Sequence, residues 1–494
     1  MRNPLRALRR KSFATTVALA VGSFGGQALA ASTCNDIAAS RNPAENYANI
    51  YACLAAPAGV AQLDAGIFPL SRKITMPNGS KLVGIGADHK GATLSASPDS
   101  NQPWGDALAQ RYPDNTVLEV SDDNVVEALR VTGNGQLHID CCTSVVVIRG
   151  SQSRLHDVEI VDLDPANGQL PQESIGGRPV GLHFMGSSAS SGNVADKVAI
   201  HDVYIGVVFR SGLPALHANT VADSEIFNTS CDGISLPGYG ILRNNVIHGS
   251  GVNCGQKPTP VPGAGLYATN NQSGAELVGN KIMDVCGNGM DIVNSKRFLI
   301  KGNSVRFTGS PLMTKYPYCV GGTPGNFVDI NDFTIAENSF EAVNTAPLGK
   351  LLSLFPSYVA DFRRAYAPLP NRNKQIVAVR LLKWKGTVTN NKFDDNAMVA
   401  RCDAQDTCVG IGLYVGPGTG VGGDGKWAAS TSDYFTRNSV AGSNIGSLRC
   451  GFDWYAGNSV CTANRKDESC NDDDFKHTSD VKANWSRNDS CATP

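Results

Sequence analysis

The sequence predicts an all-β chain wound as a single-stranded, right-handed parallel β-helix, because two short patterns recur and helical periodicity is almost absent. In one pattern, a small residue precedes an apolar-x-apolar triplet, as in residues 289–292. In the other, an asparagine lies two residues before an apolar position, at Asn245, Asn280, Asn303, Asn338, Asn391 and Asn438. A repeat of about 22 to 25 residues cannot bury its own apolar face, so its copies must stack. Successive coils then lie about 4.8 Å apart, and the asparagines are expected to form a hydrogen-bonded ladder at one bend.

The first thirty residues have the features of a secretory signal peptide. Five Lys and Arg residues precede a short apolar run, and residues 28–30 read Ala-Leu-Ala, a typical cleavage site. No other stretch approaches the ~20 apolar residues of a membrane helix. Removing the five cations changes the formal net charge from −1 to −6, so nucleic acid is not an expected partner. We therefore expect a secreted or periplasmic monomer that is not attached to a membrane.

The rest of the chain divides into three segments. Residues 31–116 are predicted to form an N-terminal cap and the first coils, with a helix near 43–56 covering the open end. Residues 117–460 are the parallel β-helix with groove-forming insertions, and residues 461–494 are a disulfide-stapled C-terminal cap. All 14 cysteines follow residue 30, and an even count in an exported chain favours disulfides. Four pairs are close in sequence: Cys34 with Cys53, Cys402 with Cys408, Cys450 with Cys461, and Cys470 with Cys491.

Two features of the chain resemble the pectin-lyase-like superfamily of parallel β-helix proteins. One is the repeat over residues 117–460. The other is the segment LDAGIFPLSRKITMPNGSKLVGIG at residues 63–86, which follows the predicted helical cap and is similar to the superfamily's entry into its first coils. The resemblance implies the fold. It implies no single activity, because the superfamily hosts lyases, hydrolases, epimerases and phage tailspikes.

Strand alternation predicts a column of outward side chains that contains charged residues. In residues 289–292, Met290 and Ile292 point inward, so Asp291 points outward. Aligning the coils gives a predicted column of His183, Val208, Ser235, Tyr267, Asp291, Asp329, Arg380 and Tyr414. Asp291, Asp329 and Arg380 are then neighbours. Two opposed carboxylates require a cation, a raised pKa or a nearby arginine, although the same residues are also consistent with a plain Asp–Arg surface ladder.

Insertions recur at one corner of the predicted coils and are expected to form a wall beside this column. They contribute cations and tyrosines to it: Lys257, Lys315, Tyr316, Tyr318, Arg363 and Arg364. A long groove with such a wall suits a linear polymer. Because carboxylates need Arg or Lys while sugar rings stack on aromatic side chains, we expect an anionic polysaccharide. His183 is a further expected contact, although a lone histidine at such a position is more often structural or solvated.

The predicted activity is cleavage of a uronic-acid or amino-uronic-acid polysaccharide by β-elimination. This reaction needs a neutraliser for the carboxylate, a base and an acid. Arg380 is the expected neutraliser. Asp291 and Asp329 are expected to hold Ca²⁺ for the same purpose, and Lys315 or a tyrosine such as Tyr267 is the expected base.

Two other functions are compatible with the same residues. One is glycoside hydrolysis by Asp291 and Asp329, since carboxylates on adjacent coils would match the ~5–5.5 Å separation of retaining enzymes. Arg380 speaks against it, because the arginine would hold both carboxylates ionised whereas an acid needs a raised pKa. The other is a non-catalytic carbohydrate-binding or adhesin surface.

Overall fold

The computed structural model describes most of the chain from residue 34 onward. The described residues are 34–57, 59–86, 91–97, 115–137, 143–162, 179–185, 190–213, 215–252, 254, 262–308, 323–344, 375–383, 390–402, 409–417, 434–436, 439–441, 452–456, 459–462 and 485–486. The predicted signal peptide and nearly all of the predicted C-terminal cap lie outside these ranges. No helix in the described part of the chain is long and apolar enough to cross a membrane.

The only helix among the described residues, α1 (Pro43–Ala55), covers the first coils as predicted. The side chain of Asn42 caps it by accepting hydrogen bonds from the backbone N–H groups of residues 44 and 45. Pro43 fits the first turn, where a helix needs no N–H donor. The helix buries Ile50 and Leu54 against the coils, and the predicted Cys34–Cys53 disulfide joins it to the first strand.

The chain forms a parallel β-helix, confirming the predicted fold. Its larger sheet has 24 strands, which are β1 (Cys34–Ile37), β2 (Val60–Leu63), β3 (Gly66–Leu70), β5 (Lys81–Gly84), β6 (Ala92–Ala96), β8 (Val125–Thr132), β10 (Arg154–Val161), β12 (Val194–Asp196), β13 (Ala199–His201), β15 (Thr220–Ala222), β16 (Glu225–Phe227), β18 (Ile241–Arg243), β19 (Val246–His248), β21 (Ala275–Val278), β22 (Lys281–Met283), β24 (Phe298–Lys301), β25 (Ser304–Thr308), β27 (Thr334–Ala336), β28 (Ser339–Asn344), β30 (Lys392–Asp394), β31 (Ala397–Cys402), β33 (Tyr434–Thr436), β34 (Ser439–Ala441) and β37 (Trp485–Ser486). Strand β10 pairs with both β12 and β13, so this sheet contains two ladders.

A second sheet of 13 strands, here called the site sheet, forms the third ladder. Its strands are β4 (Ile74–Thr75), β7 (Leu118–Val120), β9 (Ser144–Ile148), β11 (Val180–Phe184), β14 (Val207–Phe209), β17 (Ile234–Ser235), β20 (Leu266–Thr269), β23 (Met290–Val293), β26 (Gly325–Val328), β29 (Gln375–Lys383), β32 (Val409–Pro417), β35 (Phe452–Ala456) and β36 (Ser459–Thr462). All described pairings in the molecule are parallel except β35 with β36.

The predicted asparagine ladder is present, with one correction. The side-chain amides of Asn245, Asn280, Asn303 and Asn338 bond in sequence along the stack, each donating to the next at 2.9–3.0 Å. The next member is Asn396, which accepts from Asn338. The prediction of Asn391 was wrong, because Asn391 lies at a different bend, where it accepts from the Phe333 N–H. Asn438 is outside the described residues.

Candidate active site

The outward column of the site sheet follows the predicted register in seven of its eight coils. His183 pairs with Val208, Val208 with Ser235, and Ser235 with Tyr267. Tyr267 then pairs with Asp291, and further on Arg380 pairs with Tyr414. The stacking of repeats therefore places a tyrosine, a carboxyl group and an arginine in one line.

The exception is Asp329, whose predicted place in the column was wrong. The residue in register between Asp291 and Arg380 is Asn326. Asp329 follows the end of strand β26, at φ +49°. The predicted alignment was displaced by three residues because the inward position before Asn326 is Gly325, which has no apolar side chain. The Phe327 and Phe340 rings fill its space and lie within 2.9–3.1 Å of where a Cβ would stand. The apolar-x-apolar pattern is lost there and reappears by chance at residues 328–330.

Asp291 is held by two amide side chains. Its Oδ1 accepts from Asn326 Nδ2 at 2.8 Å, and its Oδ2 accepts from Asn288 Nδ2 at 3.0 Å. Burial raises the pKa of Asp291, while the two amides and the positive charge of Arg380 oppose that rise. Three groups thus favour the carboxylate form at a site where burial disfavours it.

A second carboxyl group, Asp232, faces the same part of the sheet and was missed from the sequence. Its side chain is 7% exposed, and its Oδ1 accepts from the Ala264 N–H at 2.8 Å. Burial raises the pKa of Asp232 to about 7, and the negative charge of Asp291 adds to the rise. The same strand alignment contained a signal, because Asp232 precedes Gly233 as Asn288 precedes Gly289.

Tyr267 lies on the coil between the two aspartates. Strand β20, which carries it, pairs with β17 on one side and with β23 on the other. Burial raises the pKa of Tyr267, and the charges of Asp291 and Asp232 raise it further despite a hydrogen bond with Thr269. A phenol with a raised pKa remains protonated near neutrality, so Tyr267 is suited to donate a hydrogen bond, and its role as base stays a prediction.

His183 lies three coils away from Tyr267 in the same column. Its Nδ1 is 3.2 Å from Ser144 Oγ, and its side chain is buried. Burial lowers the pKa of His183 to about 4, and the charges of Arg210 and Arg149 lower it further. The imidazole is therefore neutral near pH 7, and its predicted contact with substrate stays a prediction.

The predicted basic and aromatic wall lies outside the described residues. This applies to Lys257, Lys315, Tyr316, Tyr318, Arg363 and Arg364. The same is true of the side chains in the three predicted cysteine pairs after residue 400.

Within the described part of the chain, one group of three side chains has the spacing of a metal site: Cys231, Asp232 and Cys254. The two cysteines form a disulfide with each other and so offer no thiolate. Since Asp329 is not the register neighbour of Asp291, the sheet does not place these two carboxylates side by side. Calcium binding by this pair stays a prediction.

Comparison with known proteins gives matches among solved structures alone. No protein-family model matches the chain, and no curated protein matches it. The A-module of the mannuronan C-5 epimerase AlgE6 from Azotobacter vinelandii is similar at 13% identity and a TM-score of 0.46, over 78% of this chain and 97% of that one. The enzymatically active domain of tailspike protein 2 from bacteriophage CBA120 is similar at 14% identity and a TM-score of 0.42, over 62% of this chain and 42% of that one. Pectate lyase Pel9A is similar at 12% identity and a TM-score of 0.40, over 73% of this chain and 78% of that one. Similarity at this level carries no activity from any of them to this chain.

Proposed function

We propose that the chain is an enzyme that hydrolyses a glycosidic bond in a polysaccharide, with Asp232 as general acid and Asp291 as general base. The observation that carries the proposal is the pair of carboxyl groups with different surroundings. One is buried beside a single backbone donor, and the other is held by two amides near an arginine. Burial raises the pKa of both groups, but two amides and an arginine oppose the rise at Asp291 whereas one backbone donor opposes it at Asp232, and unequal surroundings of this kind suit separate acid and base roles.

Asp232 supplies the proton for the leaving oxygen. With its pKa raised to about 7 by burial, a large share of Asp232 is protonated at neutral pH, as a general acid requires. The sequence-based argument against hydrolysis was that Arg380 would keep both acids ionised. The position of Asp232 removes this objection, because its pKa rises despite the arginine on a later coil.

Asp291 takes the proton of the attacking water. Tyr267 occupies the coil between the two aspartates, so Asp232 and Asp291 lie on coils two inter-strand spacings apart, on the order of 10 Å. Carboxyl groups two coils apart suit the wider separation of inverting glycosidases, ~6.5–9.5 Å with room for a water, better than the ~5–5.5 Å of retaining enzymes, which adjacent coils would give. Water attacks the anomeric carbon, its proton passes to Asp291, and Asp232 protonates the departing oxygen.

The proposed substrate is an anionic polysaccharide, and the proposed setting is outside the cytoplasm. Arg380 in the column supports the first, together with the predicted basic wall. The disulfides Cys34–Cys53 and Cys231–Cys254 and the predicted signal peptide support the second, because disulfides persist in oxidising compartments.

β-Elimination is the second candidate, and Arg380 favours it. An arginine next to Asn326 in the column is suited to neutralise a uronate carboxylate, and the protonated Tyr267 is suited to protonate the leaving oxygen. In that reaction Arg380 would be essential, whereas in hydrolysis the two aspartates carry the rate.

Three variants separate the two reactions. Removing a general acid or base typically costs about 10²–10⁴ in rate, so we expect Asp232→Asn and Asp291→Asn each to lose at least about 100-fold in reducing-end release from uronic-acid polysaccharides. Arg380→Ala is expected to raise KM by a larger factor than it lowers kcat. The proposal fails if Arg380→Ala abolishes turnover while Asp232→Asn remains active, with all three variants folded.

A further inference from the structure

The disulfide Cys231–Cys254 lies directly against Asp232. Cys231 is the residue before Asp232, and its partner belongs to the insertion that precedes strand β20. The Sγ of Cys254 is 4.0 Å from Asp232 Oδ1. A sulfur bonded to another sulfur has no proton to donate, so it covers the carboxyl group without solvating it.

Hydrogen bonds hold the described ends of this insertion in place. The N–H of Gly263 donates to the Gly251 carbonyl at 2.8 Å, and the N–H of Gly251 donates to the Thr229 carbonyl at 3.2 Å. The hydroxyl of Tyr204 donates to the carbonyl of Cys254 at 2.8 Å. The disulfide is the covalent member of this set, and it joins the insertion to the coil that carries Asp232.

The disulfide packs closely against one side of Asp232. A Cβ added to Gly263 would lie 2.6 Å from Cys254 Sγ and 3.1 Å from Asp232 Oδ1. The Gly263 backbone, the Cys254 sulfur and the Asp232 carboxyl oxygen are therefore closely packed. The burial of Asp232 on that side therefore depends on the sulfur remaining where the disulfide holds it.

We propose that the Cys231–Cys254 disulfide is a positioning device for the acid of the reaction: it holds Cys254 against Asp232, keeps water from that side of the carboxyl group, and makes activity at neutral pH depend on this disulfide. The inference rests on the proposed function. A dithiol reductant converts the disulfide into two cysteine thiols and is itself oxidised to a disulfide. The contact then loosens and water reaches Asp232.

The charges around Asp232 determine the direction of the effect. Among the described residues, the titratable groups that face it are Asp291, Tyr204 and Tyr267, and none is a cation. Burial is the main cause of the raised pKa of Asp232. Hydration therefore lowers that pKa, and less of the acid form remains at pH 7.

The test compares two disulfides of the same chain. Cys231→Ser/Cys254→Ser is expected to move the basic limb of the kcat/KM profile down by about one pH unit or more, with about tenfold less activity at pH 7 and a smaller loss at pH 5. Cys34→Ser/Cys53→Ser, which removes the disulfide at the helical cap, is the matched control and is expected to keep the wild-type profile. An unchanged basic limb in the folded Cys231→Ser/Cys254→Ser protein would overturn the inference.

A titration that needs no substrate separates this inference from the proposed function. In protein labelled with ¹³C at the aspartate carboxyl groups, the Asp232 signal is identified by its absence in Asp232→Asn. Its pKa is expected to fall in Cys231→Ser/Cys254→Ser and in Gly263→Ala, which keeps the disulfide but displaces the sulfur. If neither variant moves the Asp232 titration, the disulfide has no such role, whatever the enzyme's substrate.

Discussion

Asp232 illustrates, at the scale of one residue, how a proposed catalytic group affects stability. Burial raises its pKa from 3.8 to about 7 in the folded chain. The folded state therefore binds the proton more tightly than the unfolded state does. The associated stability is complete below about pH 4, decreases as the pH rises, and is lost above about pH 7.

We predict that Asp232→Asn is more stable than the wild type at pH 8 and equally stable at pH 4. The neutral amide keeps an oxygen to accept the Ala264 N–H and removes the buried charge. Each unit of pKa shift corresponds to about 1.4 kcal/mol, so the gain in unfolding free energy at pH 8 is on the order of 4 kcal/mol. Urea denaturation at the two pH values measures it. Equal stability of the two proteins at pH 8 would contradict the prediction, because it would show that ionisation of Asp232 does not lower the free energy of unfolding.

The residues of the site differed in how visible they were in the sequence. Tyr267, Asp291 and Arg380 were found because an outward residue between two inward ones has a fixed direction. Asp232 lies before its strand, and the backbone of the next coil positions its side chain. A pattern of alternating strand residues does not cover such a position. Asn326 was missed because two phenylalanine rings replace the apolar side chain that marks the register.

At the scale of the elements, the asparagine ladder links the bends of successive coils. Asn303 is 2% exposed. Its Oδ1 accepts from the backbone and side chain of Asn280, and its Nδ2 donates to the Leu277 carbonyl and to Asn338. One side chain thus satisfies polar groups on three coils, all away from water.

We expect Asn303→Ala to reduce the unfolding free energy by about 2–4 kcal/mol, because several buried donors and acceptors lose their partners together. The control is Asn78→Ala. Asn78 is exposed and makes two hydrogen bonds to Asp122 at 3.3 Å, and its replacement is expected to change stability by less than about 0.5 kcal/mol. Chemical denaturation of both variants measures the difference. Similar losses in the two would contradict the structural importance of the ladder.

The sequence predicted the ladder and the order of strands better than it predicted exact positions. The repeat requires stacking, and stacking places Asn280 next to Asn303. The long insertion before β29 removes the local spacing, so two asparagines, Asn391 and Asn396, are candidates for the next place. Only the three-dimensional path of the coil selects Asn396.

At the scale of the whole molecule, the solenoid brings together groups that are far apart in sequence. Asp232 and Asp291 belong to different repeats, and coil stacking alone places them two coils apart on the same face of the site sheet. The nature of the reaction does not follow from stacking, because the same sheet also carries Arg380. The acid form of Asp232 is what favours hydrolysis over elimination.

The most direct test is the fate of solvent oxygen. Mature protein is incubated with uronic-acid polysaccharides in H₂¹⁸O, and the fragments are analysed by mass spectrometry, with Asp291→Asn as the inactive control. Hydrolysis by Asp232 and Asp291 predicts one ¹⁸O atom at each new reducing end and no new ultraviolet absorbance. Fragments that lack ¹⁸O and carry an unsaturated, ultraviolet-absorbing uronate would contradict the proposed hydrolysis and identify the reaction as elimination.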